Sequence, residues 1–143
     1  MLKGIDPRIT PDLLYALAQM GHGDDIAIVD ANFPAHALHG RVLTTAARLP
    51  GALHMVTSLM PLDTFVPAAA ISMQVVGDPE AVPDSIAEIV PHIEAAGSSL
   101  QSVDRFRFYD LTRGAFAVLQ TIDTRLYSNV ILKKGVIAPV IAG

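Results

Sequence analysis

Ile26 to Val29 is an unbroken apolar run closed by Asp24-Asp25 on one side and by Asp30 on the other. It is too short for a helix and shows no polar alternation, so it reads as a strand buried on both faces. Asp30 then falls at the strand's C-terminal end, and the flanking segments decide what covers it.

Upstream, Thr10-Pro11 offers a hydroxyl cap with proline at the first helical position, and Leu13, Leu14 and Leu17 follow at helical spacing. Gly21 is expected to close that helix. Downstream, apolar residues at 53, 56, 59 and 60 predict a helix from Leu53 to Met60, ended by Pro61. Ala68 to Val76 reads as a second inner strand that stops at the turn chemistry of Gly77-Asp78-Pro79. A helix is expected over Pro83 to Ala96, with Asp84 near its start, Gly97 just beyond it and Pro91 kinking or splitting it. A short strand near Ser102-Val103, a helix from about Phe106 to Arg113, and strands at Ala115 to Thr121 and Val130 to Leu132 complete the pattern. Strands alternating with helices indicate an α/β layer fold, and with no linker or repeat a single domain is expected over 1–143.

Composition narrows the chemistry. Hydrophobic residues make up 51% of the chain and charged residues only 17%, so part of the apolar surface is expected to lie between subunits. No apolar run approaches the roughly 18 residues of a membrane span, nor does a charged segment with an apolar signal core open the chain, so a cytoplasmic protein without a membrane partner is expected. The absence of cysteine removes disulfides, thiolate nucleophiles and zinc ribbons. A net charge of −4, with only Lys133-Lys134 as a basic pair, speaks against a nucleic-acid partner.

Four polar segments could carry chemistry: Gly21-His22-Gly23-Asp24, Asp30 through Phe33-Pro34, Arg105 with Phe106, Phe108 and Tyr109, and Tyr127-Ser128-Asn129. His22 fits two roles, an exposed residue in a helix-ending loop or a general acid favoured as imidazolium at a helix C-terminus. Asp30 fits a strand-end cap or, since open α/β sheets meet their ligands beyond the strand C-termini, a contact to a ligand hydroxyl. Arg105 suits a surface ion pair or a ligand contact beside an aromatic cluster. Tyr127 and Asn129 suit edge-strand positions or a hydroxyl and an amide turned to a polyol. His36 and His39 are spaced i, i+3, but HxxH lacks the third ligand and the glutamate of a metalloprotease motif, so no metal site is expected. Phosphate-loop, GxSxG and glycosidase signatures are missing too, which leaves a polar site on an α/β domain.

Taken together, Met20-Gly21-His22-Gly23-Asp24, Asp30-Ala31-Asn32-Phe33-Pro34-Ala35, Pro61-Leu62-Asp63, Arg105-Phe106 with Phe108-Tyr109, and Tyr127-Ser128-Asn129 with Val130 to Gly135 occur in one order over nearly the whole chain. In these segments the sequence resembles the fucose mutarotase and ribose pyranase family, nearest to the fucose branch. The resemblance implies a single three-layer α/β/α domain with a mostly parallel or mixed sheet, and a ring-shaped homo-oligomer, a decamer, with sites near subunit contacts. It implies catalysis without cofactor, with His22 as proton donor, Asp30 and Arg105 on the sugar, and Tyr127, Ser128 and Asn129 completing the pocket. On that reading His22 protonates the ring oxygen, Asp30 orients His22 or a sugar hydroxyl, and Tyr127 or a water relays the second proton. Ser128 stands where the family commonly has glycine, Asp110 where it has glutamate, and Thr121-Ile122-Asp123 where it has Thr-Gly-Glu. Pyranose–furanose exchange of a pentose, or monosaccharide binding without significant catalysis, remain the alternatives to anomer exchange of a sugar such as L-fucose.

Overall fold

The computed structural model describes residues 1–140, so the last three positions of the expected 1–143 unit lie outside the described residues. The chain runs α1 (Pro11–Gln19), β1 (Asp25–Val29), α2 (Ala35–Leu38), β2 (Val42–Thr44), α3 (Leu49–Thr57), β3 (Ala70–Met73), α4 (Asp84–Ala95), β4 (Leu100–Val103), α5 (Arg105–Arg113), β5 (Ala117–Gln120) and β6 (Val130–Lys133). The strands form one six-stranded sheet in the order β2-β5-β1-β6-β3-β4. β1 is parallel to β5, β5 to β2 and β3 to β4, whereas β6 runs antiparallel to both β1 and β3. Every strand but β6 therefore points its C-terminus to the same edge of the sheet.

Alternation along the inner strands divides the core into two layers. Ile26 and Ile28 of β1, Leu119 of β5, and Val130 and Leu132 of β6 pack against α1, α3 and α4. Ala27, Val29, Val118 and Ile131 face the other way, onto Phe33, Ala35 and Phe108 around α2 and α5. Coverage of the mixed sheet on both faces explains why β1 is apolar at every inner position.

Helix α1 starts as expected: the Thr10 hydroxyl accepts from the Leu13 N–H at 3.2 Å and Pro11 opens the helix. Its C-terminus differs. Met20 leaves the helix in extended backbone, and it is Gly23, at φ +87°, that takes the left-handed turn assigned to Gly21. The Lys134 ammonium donates to the Leu17 carbonyl at 2.9 Å and to that of Met20, so a side chain rather than a glycine satisfies the helix end. Helix α3 begins at Leu49, before the expected Leu53, because the buried Asp123 carboxylate accepts from the Leu49 N–H at 3.1 Å and caps the first turn. Helix α4 continues through Pro91 unsplit; Ala87 and Pro91 both face solvent, so water can meet the carbonyl that proline leaves unbonded. Strand β2 has no counterpart in the sequence reading: it is three residues long at the sheet edge and half exposed, which leaves no hydrophobic period to detect. No helix among the described residues is long and apolar enough to cross a membrane.

Asp123 also fixes the turn beside β1. It is 1% exposed, Arg125 grips it through Nε at 3.0 Å and through a second nitrogen at 2.8 Å, and its own carbonyl accepts from the Ala31 N–H at 2.8 Å. The Arg125 guanidinium, with the Leu49 and Arg125 N–H groups, outweighs desolvation and lowers the carboxyl from 3.8 to about 2. A lowered folded value contributes stability above the unfolded value that is lost as pH falls through the folded one. Asp123→Asn should therefore be less stable than wild type by about 2 kcal/mol at pH 7, with the gap closing between pH 4 and 2 in urea titrations.

Candidate active site

Where β1 and β3 end and β6 begins, a cleft of about 180 Å³ opens at the C-terminal edge of the sheet. Asp30 is the first residue beyond β1, and Asn129 is the last before β6, so the antiparallel register puts the two side by side. The Asn129 side-chain oxygen accepts from the Asp30 N–H at 2.8 Å, while one Asp30 carboxylate oxygen accepts from the Asn32 N–H at 2.9 Å. Asp30 is 5% exposed, and desolvation raises its carboxyl above the ordinary value, with a smaller push from the Asp123 charge. Hydrogen bonds from Asn32, Asn129 and Phe33 pull the other way without cancelling it. A buried carboxylate that is underpaid by its neighbours is a strong acceptor for a ligand hydroxyl.

Tyr127 and Arg105 reach the same cleft. Tyr127 has φ +60°, and it is the only non-glycine residue with positive φ among the described residues. Its hydroxyl accepts from the Val76 N–H at 3.2 Å, which leaves the phenolic proton free to donate. Arg105 opens α5, and its guanidinium lies 4.8 Å from the centre of the Phe106 ring. Among the described residues it is paired with no carboxylate. Phe33, Met73, Tyr109 and Leu126 supply apolar walls, and a second cavity of about 260 Å³ adjoins across Val76 and Arg105.

Two of the sequence-derived site residues stand apart from this group. Ser128 is fully buried and its hydroxyl donates to that of Ser85 at 2.7 Å, so it ties β6 to the first turn of α4 and does not line the cleft. His22 precedes β1, so the five residues of that strand separate it from Asp30, about 16 Å at the usual rise. Its Nε2 lies 3.2 Å from Asp63 Oδ1, and its ring meets the edge of Phe65 at 5.4 Å between centres. Asp30 therefore does not orient His22 within one chain. His39 is held by structure, donating to the Ala115 carbonyl at 2.7 Å and accepting from the Arg41 N–H at 2.8 Å, while His36 is exposed.

Asn32, Tyr109 and Asp63 fall within the motifs of the sequence reading, Asn32 as a loop former and Tyr109 in the aromatic cluster, but none of them was placed in the site. Tyr109 reaches the cleft one helical turn after Arg105, a spacing that was readable. Asp63 meets His22 across 41 residues, a distance no local pattern reports.

The chain thus belongs to the class of three-layer α/β/α proteins that hold a polar cleft at the strand C-termini. Residues 3–137 match the RbsD / FucU transport protein family, and the chain is a member of it. It is 43% identical over 140 residues to an L-fucose mutarotase of Histophilus somni, covering 95% of this chain and 97% of that protein. A fucose mutarotase of Danio rerio is 39% identical over 148 residues, 97% of this chain and 96% of that one. The crystal structure of the fucose mutarotase from Streptococcus pneumoniae in complex with L-fucose superposes with a TM-score of 0.89 at 35% identity, over 96% of this chain and all of that one.

The raised Asp30 carboxyl sets a sign for stability. The native state holds its proton more tightly than the unfolded chain, so stability falls as pH rises from 3.8 through the folded value. Asp30→Asn keeps the acceptor for Asn32 and carries no charge. Calorimetry should show a higher Tm than wild type at pH 7, with the two curves converging below the ordinary carboxyl value.

Proposed function

We propose that this chain is a monosaccharide mutarotase, an isomerase that interconverts the α and β anomers of L-fucose or a close relative by acid–base ring opening and reclosure. The observation that carries this reading is the convergence of Asp30, Arg105, Tyr127 and Asn129 on one cleft of monosaccharide size in a chain closely similar to proteins of that name. A carboxylate short of donors, an unpaired guanidinium and a phenol with a free proton match a ligand that is all hydroxyls and ring oxygen. Exchange needs one proton delivered to the ring oxygen as the C1–O bond breaks, and one removed from the anomeric hydroxyl as the C1 carbonyl forms. The open aldehyde turns about C1–C2 and recloses. Positioned proton transfer contributes about 10²–10⁴-fold, enough for a reaction that already runs slowly in water.

On this reading residues 1–143 work as a single mutarotase domain, and His22 is the acid supplied to the cleft by a neighbouring copy. The support is geometric: the length of β1 separates His22 from Asp30 in one chain. Tyr15, Phe65, Phe106, Ile122, Leu126 and Ile137 are each more than half exposed, which leaves apolar surface for such contacts. The assembly is a cytoplasmic homo-oligomeric ring of ten subunits, each site drawing on two of them.

The test uses two inactive variants. His22→Ala should lower L-fucose anomer exchange, followed by saturation-transfer NMR, by about 10²–10⁴-fold. Arg105→Ala should raise KM. When His22→Ala is co-expressed with Asp30→Asn and the mixed assembly is isolated, about a quarter of the sites should regain both groups, and exchange should recover to that fraction. A mixed assembly no faster than its parents would place His22 and Asp30 in one site of one chain. A wild-type protein that leaves the anomers of L-fucose and D-ribose at their solvent rate would end the mutarotase reading.

A further inference from the structure

His22 and Asp63 form a pair at the sheet edge opposite the cleft, and the surrounding chain is built to hold it. Asp63 sits where Leu62 bridges to Lys134 beyond β6, and its N–H donates to the Lys133 carbonyl at 3.0 Å. Gly135 permits that approach: a Cβ there would lie 2.5 Å from the Leu62 carbonyl oxygen. The Asp63 side chain is 4% exposed, and its Oδ1 accepts both from the Phe65 N–H at 3.0 Å and from the imidazole at 3.2 Å. The Phe65 N–H and then His22 keep the Asp63 carboxyl below its ordinary value against desolvation, with Lys133 adding a smaller attraction. From the other side, Gly23 anchors the His22 loop through its N–H to the Lys134 carbonyl at 2.9 Å, and Gly21 donates to Asp24 at 2.7 Å. The Phe65 ring edge fixes the imidazole's tilt while the side chain stays 44% exposed.

A carboxylate can only accept, so the nitrogen facing it carries a proton. We propose that Asp63 is the positioning residue for His22, holding its imidazole in the Nε2–H tautomer and turning Nδ1 outward as the nitrogen that exchanges a proton with the sugar. The proposal rests on the reading of His22 as the proton donor. In the step itself Nδ1 first takes up a proton to give the imidazolium. That proton then passes to the ring oxygen as the C1–O bond breaks, returning His22 to the Nε2–H tautomer, and the anomeric hydroxyl yields its proton to Asp30 or a water as the C1 carbonyl forms. Asp63 stays ionised throughout. Such a partner restricts tautomer and rotation without touching substrate, as a buried carboxylate does behind other catalytic histidines.

The experiment has two arms. Nitrogen-15 spectra of histidine-labelled protein in alkaline buffer, with the His22 signal assigned by its loss in His22→Gln, should show wild-type His22 protonated at Nε2 and bare at Nδ1. In Asp63→Ala the signal should shift towards the mixed tautomers of free histidine. In kinetics, Asp63→Asn, which retains an acceptor for the Phe65 N–H and so keeps the turn, should lose roughly tenfold or more in kcat while KM stays within about threefold. Asp63→Ala should lose more. A wild-type His22 protonated at Nδ1, or a folded Asp63→Asn with unchanged kcat, would overturn the proposal. Wild-type protein inactive towards every sugar would end the mutarotase reading instead, and the spectra would still decide the role of Asp63.

Discussion

Strand β6 runs against both of its neighbours, and both polar clusters depend on that one reversal. Because β6 is antiparallel, its start lies beside the end of β1 and its end beside the start of β1. The first brings Asn129 to the Asp30 N–H and sets Tyr127 over the cleft; the second brings Lys133 and Lys134 to the His22 loop and the Asp63 turn. A parallel strand in that place would carry its polar ends to the wrong edges. Val130, Ile131 and Leu132 are almost wholly excluded from water, and at about 25 cal/mol per Å² of apolar surface their burial holds the register that both clusters use.

Three buried aspartates show how one small fold gives the same side chain different properties. Asp123 is gripped by a guanidinium and two N–H groups, and remains charged deep into acid. Asp63 meets one N–H and an imidazole and is lowered less far. Among the described residues no cation pairs with Asp30, so desolvation prevails and its carboxyl rises. The ordering follows the donors each group receives, since all three are 5% exposed or less. Asp123 serves the structure, capping α3 and steadying Ala31, while Asp30 is left short of partners at a cleft where a ligand can supply them.

Local signals made most of the framework legible. Ile26 to Val29, the Thr10-Pro11 start of α1 and the turn at Gly77 each depend on residues adjacent in sequence, and the structure follows them closely. Asp30 was placed by its strand C-terminus, and it was the family resemblance that grouped it with Arg105, Tyr127 and Asn129; the four line one cleft. What escaped depended on remote partners. The α1 terminus is satisfied by Lys134, 114 residues beyond Met20, so Gly21 misled. The start of α3 is set by Asp123, 74 residues away, and β2 exists because β5 offers it an edge. Ser128 looked like part of a polar triplet, yet a hydroxyl beside two site residues in sequence can face the opposite layer, and here it meets Ser85.

That position of Ser128 bears on how Tyr127 is held. A non-glycine residue at φ +60° costs on the order of 1 kcal/mol or more, and glycine would relax it, so the ring and hydroxyl must contribute something glycine cannot. The strain persists only because the next two residues are fixed on opposite sides: Ser128 by the buried bond to Ser85, Asn129 by the bond to the Asp30 N–H. With both clamped and β6 beginning at Val130, the backbone at 127 has little freedom to relax. Its phenol is then presented over the cleft, with Val76 N–H directing one lone pair. A side chain at position 128 that both fills the gap beside α4 and donates to Ser85 thus supports the geometry of Tyr127 without touching the cleft, whereas a glycine there would leave the Ser85 hydroxyl without this partner and loosen one of the two clamps.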